Sequence, residues 1–280
     1  MTPFYRLTLA CSATVLAFPS AAFAQDGERY FDGPYISGTI GTESPADNRG
    51  DSFVFDSDGD GAFDNTIRTD EGLASFSPGY CSGAATSTTR TCRDNPSDEG
   101  YAVRVGYDRH IGNGPFVAGL LVEGARSNVQ EITSGYTIAP ESYSISRELD
   151  WSVTGRARLG FAPGEGRGLF YVTGGAGFAR IKSGFETSNS INAFAFSDDK
   201  SWEFGWQGGG GAEVMLTRNL GIGLEYLYSS FKGGDYTATA TQGNAADNNP
   251  FLLDTGVTDF KLANERLDFH AFRATASLRF

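Results

Sequence analysis

Eight segments of this chain alternate apolar with small or polar side chains at every second residue, each over about ten to fifteen positions, and amphipathic helical periodicity is nearly absent. They occupy residues 33–42, 100–109, 115–126, 149–161, 168–181, 202–216, 220–231 and 267–280. A strand tilted by about 45° needs roughly 9–11 residues to cross the hydrocarbon layer of a membrane. Strands of soluble sandwiches are commonly nearer five or six residues. The connectors sort in the same sense. After the second, fourth and sixth segments they are short, residues 110–114, 162–167 and 217–219; after the odd-numbered segments they are long, residues 43–99, 127–148, 182–201 and 232–266. Short turns on the periplasmic side and long loops outside are the plan of an outer-membrane barrel. The expectation is an all-β fold, an eight-stranded antiparallel up-and-down transmembrane β-barrel over residues 33–280.

Parity then assigns the two faces of each strand. In the fourth segment Val153, Gly155, Ala157, Leu159 and Phe161 oppose Ser152, Thr154, Arg156, Arg158 and Gly160; in the eighth, Phe272, Ala274, Ala276, Leu278 and Phe280 oppose Arg273, Thr275, Ser277 and Arg279. If the apolar face meets lipid, the charged face lines the lumen. That face carries Arg104, Glu123, Arg156, Arg158, Glu213, Glu225 and Arg273, with Tyr171, Thr173 and Gln207 as further hydrogen-bonding groups. Mutual pairing is expected, because an uncompensated buried charge is costly. Glycine makes up 37 of 280 residues, well above the ordinary share of about 7%. Gly106, Gly119, Gly175, Gly177, Gly209, Gly211 and Gly223 fall on the charged face and leave room for long side chains. Tyr107, Phe161 and Phe280 fall toward the short turns, and Trp151, Phe178, Trp202 and Phe231 toward the long loops, as expected of aromatic girdles at both interfaces.

Charge and compartment agree with this plan. Asp and Glu number 34 against 22 Lys and Arg, a net charge of -12, which argues against a nucleic-acid partner because phosphate binding needs a clustered basic surface. A mean hydropathy of -0.27, with no apolar run of about 20 residues beyond the N-terminus, excludes a multi-helix membrane protein. The acidic excess lies mostly in the long loops. At the N-terminus Arg6 precedes the apolar stretch 7–18, and Ala22-Phe23-Ala24 supplies a small-residue cleavage site. Residues 1–24 read as a secretory signal peptide, leaving 25–32 as a periplasmic N-terminal segment. Cys11 departs with the signal. The two remaining cysteines, Cys81 and Cys92, are expected to form one local disulfide in an exported protein. The residues between them offer no His or acidic metal ligand.

The stretch from Trp206 through Gly209, Gly211, Glu213, Asn219, Glu225, Tyr226 and Tyr228 to Phe231, followed by a last strand ending in Phe280, resembles the closing part of the OmpA-like β-barrel superfamily. More narrowly, it is similar to the porin-like surface-antigen proteins of alphaproteobacterial outer membranes. The resemblance implies an eight-stranded barrel in the outer membrane of a Gram-negative bacterium. It also implies insertion by the barrel-assembly machinery, with Phe280 as part of the assembly signal, and outer-membrane lipids and lipopolysaccharide as surroundings. Two departures stand out. The first loop is long for the family, and no peptidoglycan-binding domain follows Phe280, so a cell-wall tether is not expected.

Motifs that carry chemistry are few, and no cofactor is required by the pattern. In the first long loop Asp56, Asp58, Asp60 and Asp64 surround Gly59 and Gly61. Carboxylates at positions 1, 3, 5 and 9 with glycine at 6 follow the spacing of a calcium loop. Position 12 is Ile67 where a bidentate Glu belongs, so closure would fall to Asp70 or Glu71. An acidic solvated loop explains the same residues. Of the two histidines, His110 falls in a periplasmic turn and His270 near the outer rim beside Asp268, with no adjacent serine, which speaks against an enzyme. Two functions remain. One is a structural and surface-interaction barrel whose lumen is filled by side chains and whose loops bind an extracellular ligand; the other is a narrow porin for ions or small solutes.

Overall fold

A computed structural model describes residues 29–46, 51–199 and 202–280; the expected signal peptide lies outside the described residues. Eight long strands form the barrel: β1 (Gly33–Pro45), β2 (Asp98–His110), β3 (Phe116–Ser127), β4 (Ser142–Phe161), β5 (Gly168–Thr187), β6 (Trp202–Met215), β7 (Leu220–Lys232) and β8 (Arg266–Arg279). Each pairs antiparallel with the next in sequence, and β8 closes the cylinder on β1 from Tyr35 opposite Arg279 to Pro45 opposite Phe269. Closure removes every free edge, which a membrane demands of a sheet.

The lipid face follows the expected parity. Large apolar side chains such as Val105, Leu120, Leu159, Val172, Leu224 and Phe272 are exposed, reaching 70% at Leu224. A band of that kind would be an aggregation surface in water; in a bilayer it is the solvent-matched face. At Gly175 and Gly177 a side chain would collide with the Gly155 and Val153 carbonyl oxygens of β4. Glycine there lets β5 approach β4 closely beneath Arg156.

One correction to the parity reading arises in β4. Arg180 of β5 opposes Trp151 while Ile181 opposes Leu149, so Asp150 is the extra residue of a β-bulge. Below it the odd-numbered residues Val153 to Phe161 face outward. Above it the odd-numbered residues Leu149, Arg147, Ile145 and Tyr143 are buried inside. The bulge thus exchanges the two faces of one strand, a switch that simple alternation does not register. Phe231 is a second correction. It is fully buried rather than part of the outer girdle, because it continues the inward row of Glu225, Leu227 and Ser229.

The long connectors are not open loops. β4 and β5 each run for 20 residues, about 66 Å at 3.3 Å per residue and roughly twice what a crossing needs. Their upper halves rise above the barrel, where Gln130–Tyr136 pairs with β4 and Gly79–Ser82 pairs with Gln130–Tyr136. A separate four-stranded sheet adds Ala193–Asp199, Asp235–Thr241, Thr258–Leu262 and Phe53–Asp56, in that order. Between these layers lies an aromatic core. Phe53, Phe55, Phe76, Tyr143, Phe251 and Phe260 are buried with Ile67 and Leu262, and ring centroids lie 5.0–6.2 Å apart for pairs such as Phe55–Phe76 and Phe251–Phe260. Cys81 and Cys92 are disulfide-bonded at the side of this unit, with Cα atoms 6.2 Å apart.

Candidate functional site

The lumen is organised in layers from the periplasm outward. Its floor is closed by the segment before β1. Phe31 is fully buried with Val117, Ala162, Leu169 and Met215. Asp32 accepts the backbone N–H of His110 at 2.7 Å, and Arg29 donates to the Gly112 carbonyl at 3.0 Å. Residues 29–32 therefore pack into the mouth of the barrel rather than extending away from it.

Above the floor lies a first ionic layer. Arg158 is paired with Asp108 and, at 3.4 Å, with Glu213. Arg279 reaches Asp108 at 2.8 Å and Glu213 at 3.3 Å. Both guanidinium groups lie over aromatic rings, Arg158 over Tyr35 and Tyr171 at 4.7 and 5.1 Å, Arg279 over Phe31 and Tyr35 at 4.6 Å each. These contacts satisfy cations in a site from which water is largely excluded.

The second ionic layer is larger. Glu123 receives Arg104 at 2.8 Å, Arg156 at 2.7 Å and Arg273 at 2.8 Å. Glu225 receives Arg104 at 2.8 Å, Arg156 at 3.3 Å and the Tyr171 hydroxyl at 2.9 Å. Glu43 takes the other arm of Arg273 at 2.5 Å and accepts from Ser127. All of these carboxylates and guanidiniums are almost fully buried. Three arginines meet three glutamates here and two arginines meet two acids below, so each layer is neutral.

An apolar layer covers them. Val129, Leu149, Ala179, Ile181, Phe231, Leu267 and Phe269 fill the upper lumen, none more than 2% exposed. Beyond it Arg147 pairs with Glu131 at 2.5 Å and donates to the Asn264 carbonyl at 2.8 Å. The aromatic core forms the roof.

The seven charged residues expected at the lumen, Arg104, Glu123, Arg156, Arg158, Glu213, Glu225 and Arg273, all line it, in two clusters rather than one. Glu43, Asp108, Arg279 and Tyr35 complete them. Asp108 and Arg279 share parity with Arg104 and Arg273, so alternation already marked them. By pattern Glu43 is the start of a loop, but β1 continues past it to Pro45.

In the first long connector the carboxylates of Asp56, Asp58 and Asp60 lie within 4.8 Å of one another. Asp56 accepts from the backbone N–H of Gly59 at 2.8 Å and Gly61 at 2.9 Å. Asp64 is outside this group, and Asp70 accepts from Asn248 at 3.2 Å. Ile67, at the twelfth position of the motif, is buried in the aromatic core. His270 Nδ1 is 2.8 Å from the Tyr226 hydroxyl on the outer face, and His110 lies 3.4 Å from Asp32.

The "31 kDa outer-membrane immunogenic protein" of Brucella melitensis is 31% identical over 131 residues, covering 45% of this chain and 51% of that protein. Its namesake from Brucella suis matches over the same extent. The chain thus spans about half the length of the curated relatives it matches. Among solved structures, the outer membrane protein OprG of Pseudomonas aeruginosa covers 91% of this chain and 100% of its own, at 12% identity and a TM-score of 0.49. The model of the outer membrane protein beta-barrel domain matches residues 10–280. The chain is therefore an outer-membrane protein and belongs to the outer membrane protein beta-barrel domain family.

Proposed function

We propose that the barrel is a non-conducting membrane anchor whose purpose is to hold the aromatic-cored β-unit at the cell surface, where it meets an extracellular ligand. The observation that carries this reading is the stacking of two neutral ionic layers beneath an apolar one. A conducting pore needs a continuous polar path, and a selective one needs a field of one sign. An ion crossing this lumen would have to part several buried pairs and then dewet against Leu149, Ile181 and Phe231. Tyr35 Oη, Ser37 Oγ and Thr39 Oγ1 are buried without a protein partner, which fits isolated trapped waters rather than a channel. Planar-bilayer recording on the refolded full chain tests this. Baseline current is the expected result, including for Phe231→Ala, because the ionic layers below remain. Stable openings altered in size by Arg156→Ala or Glu123→Ala would establish the porin reading instead.

The chain is read as non-catalytic, since both imidazoles are engaged in structural contacts with Tyr226 and Asp32. Phe280, exposed at the periplasmic end of the lipid face, is proposed to contact the assembly machinery; Phe280→Ala should then lower the yield of inserted barrel.

A second reading concerns calcium. Three clustered carboxylates with Gly59 and Gly61 at positive φ supply hard oxygen ligands on a tight turn. With Ile67 turned into the core, the bidentate closing ligand is missing, so binding would be weak, in the range of about 10⁻⁴–10⁻³ M seen for extracellular modules. Calcium-dependent protection of the first connector from protease, lost in Asp58→Ala/Asp60→Ala, would support the site. No calcium effect on the intact protein would remove it.

A further inference from the structure

The outer face of the barrel carries a cross-strand row that the sealed lumen does not explain. Register places Tyr101 of β2 opposite Arg126 of β3, Arg126 opposite Trp151 of β4, Trp151 opposite Arg180 of β5, and Arg180 opposite Trp202 of β6. All five stand on the lipid-facing side, and the Arg126 guanidinium lies 5.3 Å from the centre of the Trp151 ring. On the membrane side of the row the outward residues are apolar, among them Val103, Val153, Phe178 and Phe204. On the solvent side Lys182 contacts Asp150 at 2.8 Å, Arg126 reaches the same carboxylate at 3.9 Å, and Glu148 stands opposite Lys182.

This level is where the lipid-facing band ends and lipid headgroups begin, because tryptophan and tyrosine mark that boundary. Three cations meet two carboxylates, and the carboxylates lie on the solvent side, so the two arginines in the tryptophan row face the membrane. A guanidinium between indole rings on a lipid-exposed wall is matched by a phosphate, which it can bind through paired hydrogen bonds. Arg126 and Arg180 are separated by two strand spacings, about 10 Å. That distance suits a headgroup with phosphates at both ends of a disaccharide better than one with a single phosphate.

We propose that Arg126, Trp151, Arg180 and Trp202 form a docking surface for a bisphosphorylated glycolipid of the outer leaflet. The two guanidiniums hold the phosphates, the Trp151 ring underlies the sugar, and the acyl chains run down the apolar strands below. The β-bulge at Asp150 belongs to the device, since it brings a carboxylate to the outer face that steadies Arg126 and Lys182. The inference rests on the outer-membrane placement of the barrel and is independent of whether the lumen conducts.

The test is native mass spectrometry of the full chain in detergent micelles, titrated with bisphosphorylated lipid A, monophosphoryl lipid A and phosphatidylcholine. Wild type should prefer the bisphosphorylated lipid. In Arg126→Gln/Arg180→Gln that affinity should fall about thirtyfold, roughly five- to sixfold for each cation. Arg126→Lys/Arg180→Lys, which keeps the charge but loses the paired hydrogen bonds, should fall in between, and Arg109→Ala, at the periplasmic end of the same face, should keep all. Heat-modifiable gel migration identifies folded barrel in each sample. Equal binding of all three lipids by wild type, or an unchanged affinity in either the Gln pair or its folded single variants, would overturn the proposal. A conductance result of either sign would leave it untouched.

Discussion

Glu123 of β3 and Arg273 of β8 meet inside the barrel at 2.8 Å, although 150 residues separate them in sequence. The same carboxylate serves Arg104 and Arg156, so Glu123 is the hub that joins three walls of the cylinder. Glu123→Ala would leave three buried guanidiniums competing for Glu225 and Glu43. Removing one partner of a buried pair costs about 3–5 kcal/mol, and a loss of at least that size is expected here. Urea unfolding of the heat-modifiable band should show it. Glu123→Gln/Arg273→Gln, which removes one charge of each sign, should be milder than the sum of the single variants.

The bulge at Asp150 makes a sharper forecast. With Asp150 present, Trp151 faces lipid while Leu149, Arg147, Ile145 and Tyr143 face inward. Deleting the residue makes Leu149 and Trp151 neighbours, so plain alternation keeps Trp151 outward and those four inward, and the apolar layer and the roof should survive. Asp150→Ala keeps the chain length and should cost little beyond an exposed ion pair. Protease shaving of whole cells should spare the surface unit in the deletion variant as it does in Asp150→Ala; cleavage confined to the deletion variant would show that the bulge itself seats the upper half of β4.

These cases show what was legible in the residues and what was hidden. Strand number, barrel class and the lumen arginines follow from period-two alternation at membrane-crossing length, because both faces carry strong and opposite chemical signals. The bulge was hidden because Leu149-Asp150-Trp151 fits either parity when read alone. Glu43 was hidden because the acid and the proline that follow the alternating part of β1 imitate a loop. The surface unit did leave a trace in the short alternations Phe53-Val54-Phe55 and Phe194-Ala195-Phe196. Strands so short cannot be told from loop hydrophobes until their partners are known, and both find theirs in another connector, residues 232–266.

That surface unit should unfold without the barrel. Phe260 is fully buried and lies 5.5–6.2 Å from the rings of Phe53, Phe55, Phe185 and Phe251. Phe260→Ala is expected to cost about 3–5 kcal/mol, enough to open the unit but not the ionic layers far below. Loss of the Cys81–Cys92 disulfide in Cys81→Ser/Cys92→Ser should subtract about 2–4 kcal/mol from the same unit. Both variants should keep heat-modifiable migration yet become sensitive to external protease; a simultaneous loss of the barrel band would show that the two parts fold as one.

Alkaline pH should attack the same unit. Burial pushes the Tyr236 phenol up to about 12, and burial also raises Tyr80 and Tyr143 in the neighbouring core. The Tyr236 hydroxyl accepts the backbone N–H of Leu262 at 3.3 Å. A phenol whose folded pKa lies above its unfolded value of about 10 contributes full stability below pH 10. As pH rises from about 10 toward 12, the unfolded chain sheds the proton while the folded one retains it, and stability falls by about 2–3 kcal/mol for Tyr236 alone. Tyr236→Phe removes that titration at the expense of one hydrogen bond, so its protease resistance should be slightly lower at pH 8 and decline less steeply above pH 10. A slope identical to wild type would show that other buried phenols, Tyr80 and Tyr143 first, carry the alkaline transition.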